Sequence, residues 1–263
     1  MARRKKSRRK RRRERRRAIY VLPNLFTTAS LFMGFFAMIS AVEGRFSAAA
    51  LAILTSLVLD GLDGKIARAT RTTSRFGVEY DSLADLVAFG VAPAMLVFRW
   101  GLEGFGRLGW LAAFLFVACG ALRLARFNVQ VEEVGTKHFV GLPIPAAASM
   151  IATTVLLADQ LGHPGPVSFW PVVAAVLALS FLMVSNIPYL SFKELGLAQL
   201  KSFNWLVGLI LFFILVAVQP QVMGFALMAA YVTLGPLGAR LLARRRAAGR
   251  EEAKALKEGI TSA

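Results

Sequence analysis

An all-α integral membrane fold is predicted by three observations. The 263-residue chain is 56% hydrophobic, with a mean hydropathy of +0.57, more apolar than a soluble domain of this size. Apolar stretches of about 20 residues, the length that crosses a bilayer as a helix, recur with short polar breaks. Eight are read, at 23–42, 46–66, 81–99, 108–125, 143–160, 169–188, 203–219 and 222–242. The cations support this count: with the N-terminus inside, 29 of the 32 Lys and Arg fall in cytoplasmic segments, as the positive-inside rule requires. Arg45, Arg99 and Arg107 are left outside. A missed or extra central helix would scramble that split, so eight transmembrane helices with both termini cytoplasmic are expected. The single Cys119 excludes a disulfide scaffold, and the apolar content excludes a disordered chain.

The first element is polar. Residues 2–17 hold 13 Lys and Arg with one Glu, and residues 1–18 read as a basic cytoplasmic tail. On an anionic bilayer surface each such cation contributes about 1 kcal/mol. No nucleic-acid-binding motif accompanies the run, so no nucleic acid is expected as partner despite the net charge of +17. No A-x-A-like site follows the first apolar stretch, so no cleaved signal peptide is expected. Residues 19–243 read as one transmembrane domain without internal repeats, and 244–263 as a charged cytoplasmic tail.

The second and third spans carry acids where a membrane helix should have none. Phe46 to Leu59 supplies 14 residues without charge, about 21 Å of helix, which is short of the roughly 30 Å hydrocarbon thickness. Asp60 then falls near the inner surface. From the other side, Asp81 and Asp85 precede Leu86 to Phe98, 13 uncharged residues or again about 20 Å. Asp60, Asp63, Gly64, Ala67 and Arg68 lie on one helical stripe, and Gly77, Asp81 and Asp85 lie on another. If the stripes face each other, four carboxylates meet at one depth and a cation must accompany them. An Asp at mid-membrane costs about 2.5–3.5 kcal/mol, less near the edge.

Carboxylates without Cys, and with His138 and His163 in different loops, form a hard-ligand set that points to Mg²⁺, Mn²⁺ or Ca²⁺. Two divalent ions balance four carboxylates, and a two-metal site suits displacement at phosphorus. Gly64, Ala67 and Gly77 leave room for a nucleotide or phosphate chain, and Arg68 can pair with phosphate. One alternative makes these acids loop charges and the glycines helix-packing contacts, which leaves depth and stripes as coincidence. Another is a divalent-cation transporter, against which no intramembrane acid continues toward the outer face.

Asp60-x2-Asp63-Gly64-x2-Ala67-Arg68-x8-Gly77-x3-Asp81-x3-Asp85 resembles, position for position, the signature of the CDP-alcohol phosphatidyltransferases. The resemblance implies an integral membrane enzyme that moves a phosphatidyl group from a CDP-linked lipid to a hydroxyl and releases CMP. It implies two ions, Mg²⁺ or Mn²⁺, held by Asp60, Asp63 and Asp81. Asp85 would be the catalytic base and a further metal contact, and Asp60, Gly64, Ala67, Arg68 and Gly77 would line the CDP site. A homodimer in a bacterial-type inner membrane, with its site facing the cytoplasm, is also implied.

Three further stretches resemble the phosphatidylserine synthase branch: Pro23 to Thr27, Arg123 to Asn128, and Phe139 to Pro145. That branch implies CDP-diacylglycerol as donor and L-serine as acceptor. Asn24 and Thr27 sit at the cytoplasmic mouth of the first span, where they could read cytosine or ribose edges; equally, Asn24 could cap the helix and Thr27 back-bond to it. Arg123, Arg126 and Asn128 could hold the serine carboxylate or anchor the helix end at lipid phosphate. Glycerol 3-phosphate or inositol phosphate would want the same cations, so the arginines alone do not choose the acceptor. Pro143 is expected to start the fifth span and Pro145 to bend it. Cys119 reads as a small hydrophobe.

Overall fold

The computed structural model describes residues 24–70, 74–134, 141–187, 189, 215–236 and 238. Helices account for nearly all of them, and no strand occurs among the described residues. The helices are α1 (Asn24–Val42), α2 (Phe46–Thr70), α3 (Arg75–Phe105), α4 (Arg107–Val134), α5 (Ile144–Gln160), α6 (Trp170–Val184) and α7 (220–236). Each of α1 to α4 contains a stretch long and apolar enough to cross a membrane, and α5 and α6 are shorter apolar helices. These six lie over the first six expected spans, and α7 overlaps the eighth, starting two residues before it. Of the expected seventh span, residues 215–218 are described and helical. The basic N-terminal tail, His138 and the C-terminal tail lie outside the described residues.

Small residues bring the helices together. Ala37, Ala41, Ala49, Ala50 and Ala52 are buried, whereas Phe32, Phe35, Leu51, Val58 and Phe114 are exposed. Small groups between helices and large apolar groups outside are what association within lipid favours. A Cβ added at Gly34 would lie 2.7 Å from the Ala88 Cα, so α1 crosses α3 almost backbone to backbone. The hydroxyls of Ser30 on α1 and Ser56 on α2 are 2.6 Å apart and buried. At the opposite end from the acids, Ser47 donates to Asp159 at 2.5 Å, joining the start of α2 to the end of α5. Two of the three arginines expected outside have acidic partners there, Glu43 for Arg45 and Glu103 for Arg99.

Helix α3 exceeds its expected span of 81–99. It starts at Arg75, where the Ser74 hydroxyl accepts from the Gly77 N–H at 3.0 Å, as an N-cap does. Its interior widens into π turns at Leu86–Val91 and Phe98–Leu102. Pro93 lies in the first turn of the intervening helical segment, Ala92–Val97. A proline has no N–H and its ring crowds the carbonyl four residues back, here Phe89, and a widened turn relieves that crowding. The first π turn begins directly after Asp85, so the segment bearing the acids is rotated relative to the segment packed in the core. Gly106 closes the helix at φ +54°, where a side chain would be strained.

Pro145 does not bend α5 as expected. The helix begins at Ile144 after Pro143, which puts Pro145 in the first turn, where a missing N–H leaves no bond unmade. Cys119 is buried in the core.

Candidate active site

Helices α2 and α3 turn their acids toward each other. Asp81 and Asp85 stand one turn apart on α3, and Asp60 faces them from α2. Each of the three offers a carboxylate oxygen within 4.8 Å of those of the other two. Asp60 and Asp85 are within side-chain hydrogen-bonding reach. Asp63 stands beside this trio rather than in it. It is 6% exposed, its Oδ2 accepts a hydrogen bond from the Thr27 hydroxyl of α1, and its Oδ1 has no partner among the described residues.

Four carboxylates at this spacing repel one another strongly, and burial sharpens the repulsion. Among the described residues, the cation facing them is Arg123 of α4. It is 8% exposed, it interacts electrostatically with Asp85, and its guanidinium lies 6.0 Å from the Phe127 ring centre. Its Nε has no hydrogen-bond partner among the described residues. One arginine does not offset four acids. An orphaned buried oxygen on Asp63 next to three clustered carboxylates fits a hard divalent cation, whose ligands are oxygens.

The start of α1 forms a wall beside this cluster. A Cβ at Gly77 would lie 3.6 Å from the Asn24 Oδ1 and 3.1 Å from the Ser74 Oγ, so Asn24 reaches over Gly77. Thr27 is turned to Asp63, and the next residue, Thr28, back-bonds to the Asn24 carbonyl, at 2.7 Å. The Thr28 hydroxyl also pairs with that of Tyr80 at 2.9 Å. Gly64 is half-buried one turn after Asp60. Ala67 and Arg68 continue α2, and their side chains lie outside the described residues.

The three residues expected to form one carboxylate-binding set are divided by the fold. Arg123 turns to the acids. Arg126 donates to the Val184 carbonyl at 3.2 Å and to the Asn186 Oδ1 at 2.9 Å, which ties α4 to the end of α6. Asn128 donates to the Ser82 hydroxyl at 2.9 Å, tying α4 to the acid-bearing stretch of α3. Ser82, Asn186, Tyr80 and Thr28 were invisible as partners in the sequence, because 46 to 60 positions separate each pair and no local pattern marks them.

The sequence profile of the CDP-alcohol phosphatidyltransferases matches residues 20–187. The chain belongs to this family. Among its relatives, a CDP-diacylglycerol–serine O-phosphatidyltransferase of Helicobacter pylori is 42% identical over 202 residues, 77% of this chain and 84% of the relative. A CDP-diacylglycerol–serine O-phosphatidyltransferase of Bacillus subtilis is 35% identical over 186 residues, 70% of this chain and 98% of the relative. An archaetidylserine synthase of Methanothermobacter thermautotrophicus is 36% identical over 170 residues, 64% of this chain and 69% of the relative. In this phosphatidyltransferase the family match contains α1 to α6 with every acid of the cluster, and α7 lies beyond it.

Proposed function

We propose that this protein transfers the phosphatidyl group of CDP-diacylglycerol to the hydroxyl of L-serine, giving phosphatidylserine and CMP. The observation that carries the reading is the convergence of Asp60, Asp81 and Asp85, opposite a buried Arg123 whose Nε has no hydrogen-bond partner among the described residues. The names of the relatives support serine as the acceptor.

Asp60, Asp63 and Asp81, with Asp85 beside them, would hold two Mg²⁺ or Mn²⁺ ions. Bound there, such ions neutralise phosphate oxygens and make an acceptor hydroxyl more acidic. The side chains do the rest. Asn24, Thr27, Gly64, Ala67, Arg68 and Gly77 hold the CDP group, small residues allowing close approach and the Arg68 fork pairing with phosphate. Asp85 takes the proton of the serine hydroxyl, a role worth about 10²–10⁴ in rate. Serine oxygen becomes bonded to the lipid phosphorus, the bond to CMP breaks, and CMP leaves as the anion. Arg123 receives the serine carboxylate, for which guanidinium geometry is suited.

Eight spans with both termini in the cytoplasm put this site at the inner face of a bacterial-type cytoplasmic membrane. The diacylglycerol chains then stay in the bilayer while serine arrives from water. The test is CMP release by the purified full chain across an acceptor panel. Release with serine, and not with glycerol 3-phosphate or inositol phosphate, is expected; release with either phosphate instead would reassign the acceptor. Uptake of divalent ions into liposomes without CMP release would make the protein a transporter. Asp85→Asn should abolish turnover while CDP-lipid binding stays measurable, and comparable turnover in that variant would remove Asp85 from the base role.

A further inference from the structure

We infer that Tyr80 is a positioning residue for the donor. With Thr28 it latches the start of α1 onto α3 and so fixes Asn24 over Gly77, where the CDP group is held. This role rests on the proposed reading, which gives Asn24 and Gly77 to the CDP group, and it extends that reading to two residues outside the fixed positions of the acid signature.

Successive residues of a helix point about 100° apart, so the adjacent Thr27 and Thr28 leave α1 in different directions. The Thr27 hydroxyl donates to Asp63 of α2, and the Thr28 hydroxyl pairs with that of Tyr80 on α3 at 2.9 Å. The start of α1 is thereby pinned to both helices that bear the acids. The Asn24 Oδ1 stands 3.6 Å from the point a Gly77 Cβ would occupy. Gly77 offers no side chain to hold it, so the place of Asn24 over α3 depends on how α1 meets that helix.

The hydroxyls form a directed chain. A threonine has one hydroxyl proton, and Thr28 donates it to the Asn24 carbonyl at 2.7 Å. Tyr80 is therefore the donor to Thr28, and the run passes from its O–H through Thr28 to the backbone of Asn24. Hydrogen bonds in series strengthen one another. Tyr80 is held in its turn. It is half-buried, its ring stacks on Phe76 one turn earlier, with centroids 6.0 Å apart and 11° between the planes, and Ser74 caps that turn at the Gly77 N–H. Tyr80 precedes Asp81 by one position, so its side chain leaves α3 about 100° away from the carboxylate. A contact there sets the seat of the donor without touching the acids.

Tyr80→Phe removes the hydroxyl and keeps the ring on Phe76. Binding of CDP to the purified full chain in detergent with Mg²⁺ should weaken by roughly two- to tenfold, the scale of one neutral hydrogen bond. Thr28→Val also loses the bond to the Asn24 carbonyl and should weaken binding at least as much. The double variant should match Thr28→Val, because both changes break one chain. In CMP-release assays the KM for CDP-diacylglycerol should rise in step, while kcat, the serine KM and the Mg²⁺ needed for half-saturation stay at the parent values, the mark of lost binding of one substrate. The latch is overturned if Tyr80→Phe binds CDP as the parent does, if the two single effects add, if the metal requirement or the serine KM moves alongside, or if Tyr80→Phe fails to fold with its ring contact kept. A parent that binds CDP but releases no CMP with serine would defeat the serine reading alone; parent turnover with serine beside an unaltered Tyr80→Phe defeats only the latch.

Discussion

Thr27→Val probes the link between α1 and the acid cluster. Valine matches threonine in shape, so the change removes the hydroxyl donated to the Asp63 Oδ2 with little change in packing volume. Asp63 is 6% exposed and its Oδ1 is already without a partner among the described residues, so water replaces the lost donor poorly. A hydrogen bond to a charged group contributes about 1.5–3 kcal/mol, which at about 1.4 kcal/mol per tenfold is roughly 10- to 150-fold. Residues that orient metal-binding carboxylates lose about 10–100-fold in affinity or activity when replaced, the same range. CMP release titrated with Mg²⁺ or Mn²⁺ should therefore need about tenfold or more of the ion for half-saturation, with kcat/KM reduced to match. Because the Thr27–Asp63 bond also joins α1 to α2, thermal unfolding in detergent should come at a lower temperature, and the metal requirement is read on protein that remains folded. An unchanged metal requirement in a folded Thr27→Val protein would refute the idea that Thr27 orients Asp63 for a cation.

Two further outcomes follow from the packing. Gly34→Ala puts a methyl 2.7 Å from the Ala88 Cα, and separating α1 from α3 should cost about 1–3 kcal/mol in an unfolding assay and lower turnover, since α1 carries Asn24 and Thr27. Ala88→Gly in the same chain should restore part of both, and no change in either single variant would show that the crossing is slack. Glu103→Gln breaks the ion pair with Arg99, whose side chains are 35% and 50% exposed. Such pairs contribute about 0–1 kcal/mol, so melting temperature and CMP release should match the parent, and a large loss in either would give that end of α3 a role beyond a surface pair.

Much of the site was legible before any coordinates, because its signals are local. Charge-free lengths of 14 and 13 residues set the acids at matching distances along their helices through helical rise, and intervals of three and four set their faces. Those rules operate within one helix and need no knowledge of its neighbours. They place Asp60 on one stripe and Asp81 with Asp85 on another, which is how these residues meet. The same reasoning treated Asp63 as an equal member of the cluster and joined Arg123, Arg126 and Asn128 into one set. Neighbouring helices supply partners that those rules do not see: Thr27 donates to one oxygen of Asp63, Asn186 accepts from Arg126, and Ser82 accepts from Asn128.

What the sequence by itself determined is the helical character of the chain and the face of each helix that carries the acids, since backbone periodicity acts on every segment alone. The tertiary structure decided which side chains are partners. Partnership depends on how closely helices approach, as at Gly34 and Ala88, and on their rotation, as at the π turn after Asp85. A shift of one residue in either turns a different side chain toward the site.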